Sequence, residues 1–338
     1  MTVPPPTGTD TGTAPTTPTA PATPSTPDTS NQKTLPELTI DQATGSAVTQ
    51  LGLTSRDQHI ETGVPNIDMS LSRAVEGVDA DYSVSLKSGS FKQDKFFADL
   101  VLTPSRAKFK GETHQVGAYS LKQYKAYAST NPTNVVEGFG VMLPVLSASG
   151  FQAAGIANWL YVGPLQLGYY SGRQIAKGSF VYGKPAPAAA VASMGSAVYS
   201  GYAQAGEVNK RYVDDFSEFT WTTEVEVDKA TQKIRITIKT IPLYFFNSIY
   251  ADDTRGSPSL IALDSQPQTS FECITSTVSE GNAFECTLPE SAGPQGKIKG
   301  RFFGENGQEV AGTFAIKMSS IPELFLGGTL VGGFVAKR

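Results

Sequence analysis

Two consecutive segments alternate between apolar and polar residues, and this pattern constrains the fold more than any other feature of the sequence. The stretch FTWTTEVEVD (219–228) sets Phe, Trp and Val against Thr and Glu, and KIRITIKT (233–240) sets Ile against Lys, Arg and Thr. A period of two residues is that of a β-strand with one buried face and one wet face. The short segment between them suits a hairpin loop, so the two segments predict an antiparallel pair with acidic and basic outer faces.

Similar short segments continue to the end of the sequence. We predict strands in GSAVYSGYAQA before this pair, and in SLIAL, TSFECITST, NAFECTL, GKIKGRFFG, QEVAGTFAIK and TLVGGFVAKR after it. This amounts to roughly eight or nine short strands in about 145 residues, a density typical of a sandwich or a closed barrel. Gly300, Gly312 and Gly333 suit the bends that closure requires.

The preceding half has a less regular pattern. The stretches ADYSVSLKSGSF and FFADLVLT alternate in part and predict strands. Apolar stretches broken by Gly and Pro, such as WLYVGPLQLGYYSG, also favour short strands. In LKQYKAYAS (121–129), Leu121, Tyr124 and Tyr127 recur at helical spacing and predict a short helix.

Residues 1–36 differ in composition from the remainder. Thr, Pro and Ala dominate there and aromatic residues are absent. Such a segment buries too little apolar surface to offset its ordering entropy, so we expect a disordered tether of on the order of 100 Å. An ordinary inter-domain linker is the alternative. No run approaches the roughly 20 apolar residues of a membrane-spanning helix. No signal peptide is visible, and we expect a mature form whose export signal has been removed rather than a cytoplasmic protein.

The two cysteines occur in FECITSTVSEGNAFEC (271–286). If VSEG forms a hairpin loop, Cys273 and Cys286 lie directly opposite each other, within disulfide range. A disulfide implies an oxidising compartment. The alternative is a pair of reduced thiols that share the core. Neither a CxxC spacing nor an adjacent His indicates zinc, so we expect no metal site.

Charge and motif content exclude several classes of protein. The net charge is −4 and no block rich in Lys and Arg occurs, which argues against nucleic acid as a partner. Only two histidines are present. The motifs GxSxG and HExxH are absent, as are a phosphate-binding loop and paired carboxylates in an apolar setting. We therefore expect a protein that is not an enzyme and that requires no cofactor.

Two stretches resemble the transferrin-binding protein B superfamily. GKIKGRFFGENGQEVAGTFAIK (296–317) is similar to its barrel hairpin, G-x-F-[FY]-G-P-x-A-x-E-[VL]-G-G-x-F. It departs from that pattern at Asn306, Gly307 and Ala311. GKPAPAAAVASMGSAVYSGYA (183–203) is similar to the entry into the same barrel. The matching positions are Gly300, Phe302, Phe303, Gly304, Glu309, Val310, Gly312 and Phe314 in the first stretch, and Gly183, Lys184, Pro185, Gly195, Ala197, Tyr199 and Gly201 in the second.

The resemblance implies an all-β fold with a minor helical part. A tether (1–36) would precede a β-rich handle domain (37–187), and an eight-stranded antiparallel soluble β-barrel (188–338) would follow. It also implies a surface lipoprotein of a Gram-negative outer membrane, held only by a lipid on a cysteine outside this sequence and exported by a Slam-type translocator. The expected ligand is haemoglobin or haem for iron acquisition. The alternative is an adhesin that binds a complement regulator, transferrin or another host surface.

The residues that could serve such a ligand are few. Haem takes an axial ligand, usually His, so His114 with nearby Tyr119, or His59, is a candidate. The alternative is that both histidines are exposed loop residues. Haemoglobin would instead be bound by aromatic hot spots, and Tyr244, Phe245 and Phe246 in PLYFFNSIY are candidates. A core strand is the alternative for that segment.

Overall fold

The first residue described in the computed structural model of this chain is Glu37. It describes residues 37–53, 57–62, 66–73, 82–91, 94–102, 112–116, 119–129, 138–144, 150–167, 170–208, 218–240, 270–276, 281–288, 295–317 and 329–338. The expected tether at residues 1–36 lies outside these ranges. Within them, no helix is both long enough and apolar enough to cross a membrane.

Eighteen strands and one short helix make up the described structure. They are β1 (Thr39–Leu53), β2 (Asp57–Thr62), β3 (Asn66–Arg73), β4 (Tyr82–Phe91), β5 (Asp94–Leu102), β6 (Glu112–Val116), β7 (Tyr119–Ser129), β8 (Gly138–Pro144), β9 (Ala154–Leu167), β10 (Tyr170–Gly183), α1 (Ala188–Ser193), β11 (Ala197–Val208), β12 (Glu218–Asp228), β13 (Lys233–Thr240), β14 (Ser270–Ser276), β15 (Ala283–Leu288), β16 (Gln295–Phe303), β17 (Glu309–Lys317) and β18 (Thr329–Lys337).

The strands form three antiparallel sheets. A seven-stranded sheet has the order β2-β1-β10-β9-β8-β7-β6, and β3-β4-β5 form a separate sheet. The remaining eight strands have the order β14-β13-β12-β11-β18-β17-β16-β15. We call β1–β10 the handle and β11–β18 the barrel. The predicted fold class is therefore confirmed: a β-rich handle precedes a nearly closed eight-stranded barrel.

The two alternating segments, β12 and β13, form the antiparallel pair that their pattern predicts. Val225 lies opposite Ile236 in the β12–β13 ladder, and both side chains are buried. On the outer face, Arg235 forms ion pairs with Glu226 on β12 and Glu272 on β14, each at 3.6 Å. These charges are about half exposed and contribute little to stability. The buried face therefore supplies the driving force for the pair.

Aromatic side chains fill the barrel. Trp221 lies against Phe271 and Phe314, with ring centroids 6.4 and 6.1 Å apart, and Phe302 packs against Phe284 at 5.9 Å. All five rings are at most 3% exposed. Glycine gives these rings room: a Cβ on Gly300 would overlap the Phe284 ring. The interior is thus a packed core.

The predicted disulfide is present. Cys273 on β14 is bonded to Cys286 on β15, with a Cα–Cα distance of 6.1 Å. The predicted hairpin ladder between these strands is not part of the sheet order, which begins with β14 and ends with β15. The cystine therefore joins the two ends of the barrel sheet.

One sequence prediction is wrong. Residues 121–129, predicted as a short helix, belong to strand β7. This strand pairs with β6 on one side and β8 on the other. Three apolar residues at helical spacing are a weak signal, and hydrogen-bonded partners on both sides outweigh it.

Strands β17 and β18 are buried on both faces. Phe314 and Phe334 point into the barrel core, whereas Ala311 and Val335 occupy alternate positions on the outer face and are also buried. The handle covers this outer face. The fit is close at Gly333, where a Cβ would lie 2.6 Å from Ser179 Oγ on β10 and 3.1 Å from Ile156 Cγ2 on β9.

We expect Gly333→Ala to lower the free energy of unfolding by about 1–3 kcal/mol, because the added methyl overpacks the handle–barrel contact. Urea denaturation followed by tryptophan fluorescence measures the change. Gly195→Ala is the matched control, since a Cβ there meets nothing within 4 Å. It should change the free energy by less than about 0.5 kcal/mol. Equal effects of the two substitutions would contradict the close packing at Gly333.

Candidate binding surface and the handle–barrel contact

One end of the barrel is sealed by a plug, which we define as α1 and the residues around it (186–195). Val191 and Met194 belong to the barrel core. The Tyr199 hydroxyl donates to the carbonyl of Gly307 at 2.8 Å, in the turn between β16 and β17. Asn282 Nδ2 donates to the carbonyl of Ala186 at 2.6 Å. The plug therefore packs into the core and accepts a hydrogen bond from Asn282, and the Tyr199–Gly307 bond lies at the same end of the barrel.

The opposite end, which we call the loop end, carries the longer connections. Because neighbouring strands are antiparallel, β11, β13, β15 and β17 end at this end of the barrel. Strands β12, β14, β16 and β18 begin there. Four connecting segments therefore join strands there: 209–217, 241–269, 289–294 and 318–328. The longest spans 29 residues, from 241 to 269. Loops on a rigid scaffold are where binding residues concentrate, so the loop end is the candidate binding surface of the barrel.

The residues predicted to bind a ligand fall in three places. Tyr244, Phe245 and Phe246 belong to the 241–269 connection and lie outside the described residues. His114 lies on β6, where it pairs with Leu121, and Tyr119 pairs with Val116 in the same β6–β7 ladder. His59 lies on β2 opposite Leu51. The sheet order thus brings His114 and Tyr119 into one strand pair and puts His59 on the other outermost strand.

Glu309, the first residue of β17, makes the most extensive polar contact between barrel and handle. Its Oε1 accepts from the backbone N–H of Gln152 at 2.8 Å, and its Oε2 accepts from Ala153 and Ala154 at 2.9 and 2.8 Å. The residue is 4% exposed. Burial raises the pKa of this carboxyl, while the three N–H donors and the nearby Lys337 act in the opposite direction.

Three further contacts surround Glu309. Arg301 on β16 forms an ion pair with Asp41 on β1 at 3.1 Å. The Thr313 hydroxyl on β17 donates to the carbonyl of Thr44 on β1. Lys337 donates to the carbonyl of Gly150 at 2.9 Å. Charged and hydroxyl groups on three barrel strands therefore meet the handle.

Lys337 makes a second contact with the handle. Its ammonium lies 5.2 Å from the centre of the Phe151 ring, within cation–π range. The same ring packs edge to face against Tyr202 on β11, with centroids 5.7 Å apart. Burial raises the pKa of the Tyr202 hydroxyl, and the Glu309 charge raises it further. Phe151 is thus held by two barrel strands.

This arrangement fixes the handle on the outer face of the barrel. Within the described ranges, no group of three or more His, Cys, Asp or Glu residues could hold a metal ion. Sequence reasoning matched Glu309 to a family pattern but did not find its role, because its three donors lie about 155 positions earlier in the chain. The signal available in the sequence was that Glu309 is the one acidic residue of β17, EVAGTFAIK, whose other residues are mostly small or apolar.

We expect Glu309→Gln to lower the free energy of unfolding by about 1–3 kcal/mol, because the amide nitrogen cannot accept a hydrogen bond from an N–H group, whereas both oxygens of the carboxyl group can. The effect should depend on pH. The folded protein binds the Glu309 proton more tightly than the unfolded chain, whose Glu pKa is the ordinary 4.5. Wild type therefore loses stability relative to the variant as the pH rises from about 4.5 through the folded-state pKa.

Urea denaturation at a series of pH values between about 4 and 8 tests this expectation. The difference between wild type and Glu309→Gln should narrow as the pH rises. Glu305→Gln is the matched control, because Glu305 is exposed and forms only a 3.5 Å ion pair with Lys184. A difference that stays constant or widens would show that burial does not dominate at Glu309.

Comparison with known proteins locates the similarity in the barrel. Residues 191–338 match the family model described as the C-lobe and N-lobe beta barrels of Tf-binding protein B. No curated protein sequence matches the chain significantly.

Several solved structures resemble the chain at low identity. A double mutant of transferrin-binding protein B from Haemophilus parasuis Hp5 is 13% identical with a TM-score of 0.36, covering 83% of this chain and 46% of that one. Isotype 1 transferrin-binding protein B from serogroup B Neisseria meningitidis is 16% identical with a TM-score of 0.34, covering 87% and 43%. This chain thus spans less than half the length of these two proteins. Over residues 191–338, this chain is similar to the β-barrels of Tf-binding protein B.

Proposed function

We propose that this chain is a surface lipoprotein of a bacterial outer membrane that captures a host ligand for iron acquisition. The observation that carries the proposal is the match of residues 191–338 to the barrels of Tf-binding protein B, whose name describes binding of transferrin. A lipid on a cysteine outside this sequence would anchor the chain, and an outer-membrane translocator of the Slam type would export it. The proposed role is binding and not catalysis.

The division of the barrel into two ends supports a binding role. The plug end is closed by hydrogen bonds such as that from Tyr199 to Gly307. The loop end joins its strands through four connecting segments, including the 29 residues of 241–269. The handle is fixed to the outer face by Glu309 and its neighbours. In this proposal the scaffold holds a recognition surface on the barrel loops and the handle.

Haem or haemoglobin is the favoured ligand. A bound haem would need an axial ligand, and His114 is preferred because Tyr119 belongs to the same strand pair. His59 lies on β2, six strands away from β6 in the sheet order, so the proposal assigns one axial histidine and not two. A haemoglobin surface would use the aromatic side chains Tyr244, Phe245 and Phe246 as hot spots.

A host protein without haem is the second candidate. The matching family is named for transferrin, so a protein ligand is a direct extension of that name. In this case the chain would be an adhesin or colonisation factor that binds transferrin, a complement regulator or another host surface. Binding experiments with purified proteins distinguish this candidate from haemoglobin capture.

A haemin titration tests direct haem binding. If His114 is the axial ligand, wild type should shift the Soret band at a one-to-one ratio, and His114→Ala should abolish the shift because the iron loses its ligand. His59→Ala is the matched control and should leave the spectrum as in wild type. An unshifted Soret band with wild type excludes haem as the direct ligand. Loss of the shift in His59→Ala alone would move the site to the other edge strand.

Capture of purified haemoglobin and transferrin on the immobilised chain tests the protein ligands. We expect haemoglobin to bind, and the triple variant Tyr244→Ala, Phe245→Ala, Phe246→Ala to weaken it by at least about 30-fold, as loss of a hot spot does. Val198→Ala is the control, since Val198 is 54% exposed near the plug end. Binding of transferrin alone would favour the second candidate. An unaffected triple variant would remove the aromatic segment from the site.

A further inference from the structure

The barrel has one interruption in its ring of backbone ladders. Seven pairs of neighbouring strands are joined by regular antiparallel ladders, the shortest of which, β15–β16, has six register pairs. Strands β14 and β15 instead stand at the two ends of the sheet order. We call the boundary between them the seam. Among the strands that the structure describes, no ladder crosses it.

Side chains span the seam instead. The Cys273–Cys286 disulfide joins the strands with a Cα–Cα distance of 6.1 Å. Both cysteines are 3% exposed and belong to the barrel core. The Thr275 hydroxyl donates to the carbonyl of Glu285 at 2.8 Å. One covalent bond and one side-chain hydrogen bond thus stand where other strand pairs have a ladder.

The acidic residues on the two seam strands form ion pairs with the neighbouring strands and not with each other's strand. Glu272 on β14 pairs with Arg235 on β13 at 3.6 Å. Glu285 on β15 pairs with Lys297 on β16 at 2.8 Å, and this contact lowers the pKa of Glu285. Glu272 and Glu285 therefore form ion pairs with β13 and β16, respectively, and neither ion pair crosses the seam.

The handle contacts described above lie on barrel strands other than the two at the seam. In the sheet order, β11 and β18 occupy the fourth and fifth positions, and the seam joins the first to the eighth. The handle contacts β18 at Gly333 and Lys337, β17 at Glu309 and β16 at Arg301, and none of these contacts lies on β14 or β15. Parting of the seam would therefore leave these contacts in place.

From this geometry we propose that the Cys273–Cys286 disulfide is a redox-controlled clasp. When it is oxidised, it closes the barrel. When a dithiol supplies two electrons and two protons, the S–S bond becomes two thiols, the dithiol becomes a cyclic disulfide, and the seam opens while the rest of the barrel and the handle contact stay folded. Closure of the barrel is thereby coupled to arrival in an oxidising compartment, where such bonds persist.

Hydrogen exchange followed by mass spectrometry, with and without dithiothreitol, tests the clasp on the full chain. Reduction is confirmed by the mass gain of two hydrogens. Amides of β14 and β15 should then exchange at least about tenfold faster, whereas those of β17 and β18 should change by less than about twofold, because local and global opening have different free energies. Unchanged exchange at β14 and β15 in the reduced protein overturns the proposal. A uniform rise across all strands also overturns it, because the disulfide would then stabilise the whole fold.

Variants make the test independent of access of the reductant to the buried bond. The double variant Cys273→Ala, Cys286→Ala should give the same local pattern as reduction. If it fails to fold, the opening is not confined to the seam and the proposal is wrong. Thr275→Val in the oxidised protein is the matched control, and it should change exchange at β14 and β15 by less than about twofold. An effect equal to that of reduction would assign closure to the hydrogen bond.

Discussion

Burial of β17 and β18 on both faces is the constraint on which the remainder of the structure depends. Phe314 and Phe334 face the barrel core, and Ala311 and Val335 alternate with them toward the handle. A strand in an antiparallel sheet ordinarily has one wet face. Here the sequence TLVGGFVAK is nearly continuous in apolar and small residues, as a strand covered on both sides requires. Barrel and handle therefore share these two strands as a common wall.

Polar groups determine where the handle lies on this wall. Apolar contact is not directional, so Ala311 and Val335 alone would allow the handle to slide. The Glu309 carboxylate accepts three consecutive N–H groups at the start of β9, and Arg301 pairs with Asp41 on β1. A buried donor or acceptor that loses its partner costs about 1–3 kcal/mol, so displaced positions of the handle are penalised. Burial of the Glu309 carboxyl costs desolvation free energy, and the three hydrogen bonds that it accepts define the position of the handle.

Local patterns in the sequence were enough to predict the strands of the second half, and the family resemblance predicted a barrel rather than a sandwich. Alternation placed Val225 and Ile236 in the core, and counting outward from the VSEG loop placed Cys273 opposite Cys286. The same count also predicted a ladder that the sheet order lacks, because cysteine spacing reports proximity and not backbone hydrogen bonds. Residues 121–129 were taken as helical because three apolar side chains share that spacing by chance, and strand pairing over long sequence distances is invisible to a local window.

Glu309 was beyond local reasoning for the same reason, since its partners are supplied by the distant start of β9. The physical consequence extends to the candidate binding surface. A sealed plug end, a wall shared with the handle and a cystine at the seam fix three sides of the barrel without using the loop end. Loops on such a fixed scaffold are where recognition residues concentrate, so the contacts that hold the barrel and those proposed to bind a ligand belong to different parts of the chain.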